Sequence, residues 1–142
     1  MKTCFFTFLA IVGFLVGVST ARAVPVTVEW DLPISDCAGN ALEAPLGPTE
    51  IYFSESPIPT GGICTASPDE PPADAIVVWV APGETQVEID SDAVGLNAGV
   101  LYFLRLRTSR TIASELWSNF SEEKRLTLPA SPRRPVNIRI SF

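Results

Sequence analysis

The chain has 142 residues, with 10 basic residues, 16 acidic residues and no histidine, so its formal net charge is −6. This acidic balance argues against nucleic acid as a ligand, because phosphates require a basic surface. The lack of histidine excludes nucleophilic sites in which an imidazole activates a serine or a cysteine.

The first 23 residues predict a secretory signal peptide. Lys2 provides a positive start, an apolar stretch runs from Cys4 to Val18, and the triplet "ARA" ends at Ala23 as an Ala-x-Ala cleavage site. The apolar stretch is shorter than the roughly 20 residues of a membrane-spanning helix, although an uncleaved anchor is the alternative. We therefore expect removal of residues 1–23 and a secreted, periplasmic or cell-surface location.

Beyond residue 23 the chain alternates apolar and polar residues between turn-rich segments, a pattern that predicts β-strands. The stretch "VPVTVEW" places Val24, Val26, Val28 and Trp30 on one face. The stretches "TEIYFSES", "AIVVWVAP" and "TQVEID" predict a second, third and fourth strand. No segment has a convincing helical period.

Two long loops rich in proline and glycine flank the second strand, and each contains one cysteine, Cys37 or Cys64. In an exported chain, two cysteines most simply form one disulfide, which here would contribute about 3 kcal/mol. Two unrelated thiols are the alternative, since the sequence does not supply the Cα spacing that decides between them.

The fifth predicted strand, "VLYFLRLRT", alternates most clearly. Its inward face consists of Val100, Tyr102, Leu104 and Leu106. Phe103, Arg105 and Arg107 face outward, where we expect the arginines to form exposed ion pairs with carboxylates such as that of Glu50. The stretch "EEKRLTL" then returns as the last strand of an all-β sandwich.

The chain continues past that strand through the linker "PASPRRP" to a further alternating stretch, "VNIRISF". The apolar face of this stretch consists of Val136, Ile138, Ile140 and Phe142. We therefore expect three segments: a signal peptide (1–23), a β-sandwich domain (24–128) and a Pro-rich linker with a C-terminal strand (129–142).

Several of these stretches resemble the fibronectin type III family. "VTVEWDLP", with Trp30 in the core, resembles its second strand, and "EIYFSESP" resembles its third. In "LNAGVLYFLRLRT", Leu96 ends the corner turn, Gly99 permits its tight geometry and Tyr102 takes the tyrosine-corner position. "WSN", containing Trp117, resembles the motif at the entry to the last strand. The resemblance implies a fibronectin type III/immunoglobulin-like antiparallel β-sandwich of bacterial extracellular style. It also implies that Trp117 lies over the arginine-rich outer face.

Two departures from the family pattern concern the ends of the domain. The family's first strand is missing before "VTVEW", and "VNIRISF" resembles that strand displaced to the C-terminus. Three alternatives stay open for this tail: a flexible end or short added edge strand, a strand that fills the vacancy in its own domain, or a strand that fills it in the next molecule. The linker reaches at most about 25 Å, so the second alternative is tight.

The charges are also divided along the chain. Residues 24–104 contain 13 acids and no lysine or arginine, whereas residues 105–142 contain 8 basic residues and 3 acids. This division is compatible with steering a basic tail towards an acidic body of another copy, although salt screens such charges.

The sequence predicts no catalytic residues, no metal site and no cofactor. Asp90 and Asp92 have calcium-type ligands, but the flanking residues lack a calcium-loop motif and favour a solvated turn. We expect a non-enzymatic structural or adhesive module that binds a protein partner or copies of itself, with no membrane contact once the signal is cleaved. The alternative is a carbohydrate-binding module, for which Phe103 is the expected exposed contact and Trp79 is expected to be partly buried.

Overall fold

The computed structural model describes residues 23–36, 38–59, 72–109, 117–130 and 135–142. Its elements in chain order are β1 (Pro25–Trp30), β2 (Thr49–Ser54), β3 (Ile76–Val80), β4 (Gln86–Asp90), α1 (Ser91–Val94), β5 (Leu101–Thr108), β6 (Lys124–Thr127) and β7 (Val136–Ile140). The strands form a three-stranded sheet with the order β4-β1-β7 and a four-stranded sheet with the order β3-β2-β5-β6. The predicted all-β sandwich and its additional C-terminal strand are therefore confirmed.

The core lies between the two sheets and follows the alternation of the sequence. Side chains of a strand point alternately to its two faces, so every second residue is buried against the opposite sheet. The fully buried core residues are Val26, Val28, Ile51, Phe53, Leu104, Leu106 and Ile140. Trp30 belongs to the same cluster and is 3% exposed, as expected for a core tryptophan.

A short helix, α1, connects the sheets at one end of the sandwich. Asp90 caps it, because one carboxylate oxygen accepts hydrogen bonds from the backbone N–H groups of Asp92 (3.0 Å) and Ala93 (3.2 Å). Gly95 ends it in the left-handed conformation, with φ of 82°. The "DSD" stretch is therefore a capped helical turn, and its two aspartates are exposed, as expected for a solvated turn. A helix of four residues is too short to produce a sequence period.

The tyrosine corner follows α1 directly. Tyr102 is 2% exposed, and its hydroxyl accepts a hydrogen bond of 3.0 Å from the backbone N–H of Asn97. Gly99 has a φ of 77°, and its N–H donates to the carbonyl of Leu128 at the end of β6. The buried tyrosine hydroxyl thus has a backbone partner in the corner, and the corner is bonded to the last strand of the four-stranded sheet.

The tail strand β7 pairs with β1 of its own chain, and the pairing is parallel. The four other strand pairs are antiparallel, as expected for the fold class. The carbonyl of Leu128 is bonded at the corner, and β7 starts beside Val26 near the same end of the sandwich. The end of β6 and the start of β7 are therefore separated mainly by the distance between packed sheets, about 10 Å. An antiparallel β7 would have required the linker to traverse the length of the sandwich first. Because β7 is parallel, the tight fit that we expected for the linker does not arise.

We predict that Tyr102→Phe lowers the free energy of unfolding by about 1 kcal/mol, because the Asn97 N–H loses its acceptor while the ring stays in place. Urea unfolding followed by tryptophan fluorescence measures the change. Tyr102→Leu, which also removes ring contacts, is expected to cost more. Equal stability of the wild type and Tyr102→Phe would contradict a stabilising role for the hydroxyl.

Candidate functional site

β7 pairs with the edge of β1 that faces away from β4, and we call this edge the tail-strand site. The backbone register places Val26, Val28 and Trp30 beside Val136, Ile138 and Ile140. Ile140 is fully buried, and Val136 and Ile138 pack partly buried against the core. Burying one isoleucine fully contributes about 1.5–3 kcal/mol, so β7 both pairs the sheet edge and completes the core.

Polar contacts hold the end of β7 to both sheets. An Arg139 guanidinium nitrogen donates to an Asp31 carboxylate oxygen at 3.1 Å in an exposed pair, and Arg139 also lies opposite Glu29 in the register. The Glu122 N–H donates to the Ser141 carbonyl (3.0 Å), and the Ser141 N–H donates to a Glu122 carboxylate oxygen (3.2 Å). Since Glu122 precedes β6, this exchange joins β7 to the four-stranded sheet.

The Glu122 carboxylate carries a further interaction that stabilises its charge. The Lys124 ammonium lies 2.8 Å from it, and the hydrogen bond from Lys124, followed by that from the Ser141 N–H, lowers the pKa of Glu122 below its ordinary value. The carboxylate therefore stays ionised while it binds the end of the tail strand.

Phe142, the last residue of the predicted apolar face, lies beyond the end of the tail strand and is more exposed than Ile140. β7 ends at Ile140, and Phe142 is 41% exposed beside a cavity of about 420 Å³ between the Asp31–Ser35 segment and Asn119–Phe120. Ser141, between the strand and Phe142, exchanges two hydrogen bonds with Glu122.

The outer face of the four-stranded sheet carries a second group of polar and aromatic side chains, which we call the outer-face cluster. It consists of Glu50, Tyr52, Arg107, Trp117 and Phe120. Arg107 Nε donates to a Glu50 carboxylate oxygen at 2.7 Å, and the Tyr52 hydroxyl donates to the same oxygen. The guanidinium carbon lies 4.3 Å from the centroid of the Trp117 ring, 5.2 Å from that of Tyr52 and 5.6 Å from that of Phe120.

The predicted pairing of Arg107 with Glu50 is confirmed, but the expectation of an exposed pair is wrong. Arg107 is 8% exposed, with the Trp117 and Phe120 rings packed against it, and Glu50 is 4% exposed. Removal of one partner of such a pair leaves a buried charge and typically costs about 3–5 kcal/mol. The placement of Trp117 over the outer arginine face is as the resemblance implied. Arg107 Nη1 has no hydrogen-bond partner among the described residues.

Two serines explain how the "WSN" stretch lies along β5. Ser118 donates its N–H to the Thr108 carbonyl (2.8 Å) and accepts the Thr108 N–H on its hydroxyl (3.0 Å). Ser121 repeats the exchange with Leu106, at 2.9 and 3.0 Å. Each serine hydroxyl accepts a β5 N–H, as a carbonyl of a neighbouring strand would do. These bonds to the β5 backbone hold the segment that carries Trp117 over the sheet. Sequence reasoning missed these serines, although their spacing of three residues was visible.

Arg105 joins the loops to the same face. Its Nε donates to the Ile58 carbonyl at 3.1 Å, one Nη donates to the Ser121 carbonyl at 2.7 Å, and the other lies 3.5 Å from a Glu123 carboxylate oxygen. Ile58 itself is 2% exposed. Both outward arginines of β5 therefore organise packing on the outer face.

The predicted exposures of the two candidate ligand-contact aromatics are reversed. Phe103, expected to be exposed, is 9% exposed, and the Arg125 guanidinium lies 5.4 Å from its ring centroid. Trp79, expected to be partly buried, is 62% exposed. Its ring packs edge-to-face with that of Trp117, with the ring centroids 6.2 Å apart. The reason is position: Phe103 is on the inner strand β5, whereas Trp79 is on the edge strand β3.

The remaining chemical candidates from the sequence are the two cysteines and the potential metal ligands. Cys37 and Cys64 lie outside the described residues. The described part of the chain contains no cluster of three or more potential metal-ligating side chains. Within the same residues, no helix is long and apolar enough to span a bilayer. An apolar groove of about 490 Å³ between the Leu32–Ile34 segment, Leu42–Leu46 and Pro82 was not anticipated, because it is formed by two loops without a periodic pattern.

Comparison with known proteins identifies no relative. No protein-family model matches the chain. No curated protein and no solved structure matches it either.

The Tyr52 hydroxyl predicts a loss of stability at alkaline pH. Burial, and then the hydrogen bond to Glu50, raise the pKa of Tyr52 well above its ordinary value of 10.0. Below that value the tyrosine is protonated in both states and contributes no pH dependence. Above it the unfolded chain releases the proton while the folded chain keeps it, so the free energy of unfolding falls as pH rises.

Urea unfolding between about pH 9 and 11.5 measures this dependence, and Tyr52→Phe is expected to show a shallower decline over that range. Absorbance at the tyrosinate band provides an independent measurement, because Tyr52 should ionise only as the protein unfolds. Identical pH profiles for the wild type and the variant would contradict the assignment.

Proposed function

We propose that this protein is an exported, non-catalytic structural or adhesive module of fibronectin type III-like fold, which binds protein partners by exchange of its tail strand. The observation that carries the proposal is the position of β7. It follows the last strand of the four-stranded sheet, yet it pairs the edge and fills the core of the other sheet. A strand of this kind can be supplied by its own chain or by another copy.

Three features support the family assignment. Trp30 lies in the core, the hydroxyl of Tyr102 is bonded to the backbone of its corner, and Trp117 lies over Arg107. If β1 corresponds to the family's second strand, β7 occupies the place beside it that the first strand would take. Export through a signal peptide in residues 1–23 and a disulfide between Cys37 and Cys64 are parts of the same proposal.

The contacts of β7 also support reversible exchange. Among the described strands, β7 pairs with β1 alone, and that pairing is parallel, which is slightly less stable per residue than an antiparallel pairing. Its Arg139–Asp31 bond is exposed and therefore contributes little. A tail donated by another copy would bury the same isoleucines, and contacts of this head-to-tail kind extend into oligomers unless the geometry closes.

A labelled peptide of residues 130–142 tests the exchange on the intact protein, residues 24–142. We expect slow binding, seen as a rise in fluorescence anisotropy, because the resident strand must leave first. A control peptide with Ile138→Asp and Ile140→Asp should not bind, since both apolar contacts with the core are lost. Deletion of residues 130–142 should lower the stability by more than the roughly 1.5–3 kcal/mol of one buried isoleucine.

A disulfide lock provides the matched control. Glu29 and Arg139 are direct partners in the parallel register and both face outward, so Glu29→Cys with Arg139→Cys should fix the tail in its own chain. Peptide binding should disappear in the oxidised double variant and return on reduction, while the wild type is unaffected by the same treatment. Failure of the peptide to bind the reduced variant and the wild type would reject tail exchange.

Carbohydrate binding is the second candidate, and the exposure of Trp79 favours it. An exposed indole on a sheet face can stack on a sugar ring, and one aromatic contact of about 0.5–1.5 kcal/mol corresponds to an affinity change of up to about tenfold. We predict that Trp79→Ala weakens retention on an immobilised polysaccharide by that factor. Leu101→Ala, at another exposed apolar residue, is the control, and equal retention of both variants would reject this function.

A further inference from the structure

The edge strand β3 differs from the other edges of the two sheets. The three other edge strands carry charged side chains: Glu88 and Asp90 on β4, Arg139 on β7, and Lys124 and Arg125 on β6. β3 has the sequence Ile-Val-Val-Trp-Val, without a charge, a proline or a glycine. Edge strands are normally protected against pairing with another chain by charges, prolines or bulges. Within the described residues, β3 alone has none of these on the strand.

Both faces of β3 present apolar surface at this edge. On the outer face, Val77 is 37% exposed and Trp79 is 62% exposed. On the inner face, Ile76 and Val78 are only partly buried against the core, whereas Val80 is 6% exposed. The apolar core thus extends as far as the edge strand β3. Within the described structure, β3 pairs with β2 on one side only.

We propose that β3 pairs antiparallel with β3 of a second copy of this chain, about a two-fold axis at Val78. This surface is separate from the tail-strand site, and the proposal does not depend on strand exchange. The two four-stranded sheets would then join into one continuous eight-stranded sheet. The backbone N–H and C=O groups of each edge would find partners in the other copy.

The sequence of β3 is self-complementary in this arrangement. Val77 lies opposite the partner's Trp79 on the outer face, an aromatic–β-branched pair of the kind that stabilises antiparallel sheets. Ile76 lies opposite the partner's Val80 on the inner face, and Val78 meets its own copy on the axis. The inward residues of both copies stay on the same side, so the two cores become continuous across the edge.

The charges permit this contact although the whole chain is acidic. The full chain has a net charge of −6, and an acidic balance of this kind disfavours association in general. At the proposed interface the five residues of each strand are uncharged, and Asp74 of one copy would lie opposite the partner's Pro82 and not opposite its Asp74. Glu50 on the adjacent strand is neutralised by Arg107. β3 is thus an edge at which two acidic copies can approach without direct repulsion.

The contact is isologous, so it closes as a dimer and does not extend into a filament. Five residues a side make a small interface, and such interfaces are weak. We therefore expect a dimer that forms at tens to hundreds of micromolar, on the order expected for small transient interfaces. The edge contact between Trp79 and Trp117 holds the indole near the sheet and reduces the loss of side-chain freedom on association.

Sedimentation velocity of residues 24–142 over a range of concentrations tests the proposal. The wild type should shift from monomer to dimer, whereas Val77→Lys should stay monomeric at concentrations at least tenfold higher, because each copy places a charge opposite the partner's Trp79. Leu101→Lys introduces the same charge at an exposed leucine away from β3, 43% exposed, and should dimerise like the wild type. Circular dichroism checks that both variants are folded.

A cysteine on the two-fold axis tests the geometry. Oxidised Val78→Cys should form a disulfide-linked dimer, which requires the two copies to meet at this residue. Glu88→Cys, on the β4 edge, should not. A dimer that persists in Val77→Lys, no crosslink at Val78, or a monomeric wild type at about millimolar concentration would overturn the proposal. A dimer that is lost only in the disulfide-locked tail variant would also overturn it and would instead support tail exchange.

Discussion

The structure depends on the pairing of β1 with the tail strand. β1 supplies Val26, Val28 and Trp30 to the core, and β4 covers only one of its edges. Without β7, the other edge would expose backbone groups and the side of a fully apolar core at once. Ile140 belongs to the strand that pairs with this backbone edge, and its own side chain is completely buried in the core. The contacts of Glu122 with Ser141 then tie this edge to the opposite sheet.

The outer-face cluster has a comparable role on the four-stranded sheet. All six residues of β2 are buried, so this strand is covered on both faces. On the inner side the cover is the other sheet, and on the outer side it is provided by Trp117, Phe120 and the loop that carries Ile58. A buried carboxylate is tolerated there because an arginine and a tyrosine hydroxyl satisfy it. Trp79 lies on the edge strand, at the margin of this aromatic cover, and its side chain is exposed.

Much of this fold could be predicted from the sequence because most of its strands are half-buried and alternate with period two. The inward residues of β1 and β5 followed directly from that pattern, and the family resemblance of the stretch from Leu96 to Tyr102 indicated the corner. The parallel direction of β7 could not be read in the same way, since alternation is the same for both directions of a strand. It follows from where β6 ends, which is a property of the folded chain.

The exposures of the candidate ligand contacts were predicted less well for a related reason. Whether an outward side chain is exposed depends on what packs over the strand, and Phe103 is covered by Arg125. Trp79 is uncovered because β3 is an edge strand, and strand order is not encoded in the local sequence. Burial of Arg107 likewise depends on Trp117, which reaches it through the Ser118 and Ser121 hydrogen bonds to β5.

The distance along the chain between β1 and β7 also has a consequence for biosynthesis. The two partners of this pairing lie at opposite ends of the described chain, so β1 is translated first and its second neighbour last. Contacts between such remote segments close large loops and are expected to form late in folding. During synthesis, and during transport if the chain is exported, the nascent domain therefore has an open sheet edge until the tail emerges. A chaperone that recognises extended apolar strands would have its longest opportunity to bind in that interval.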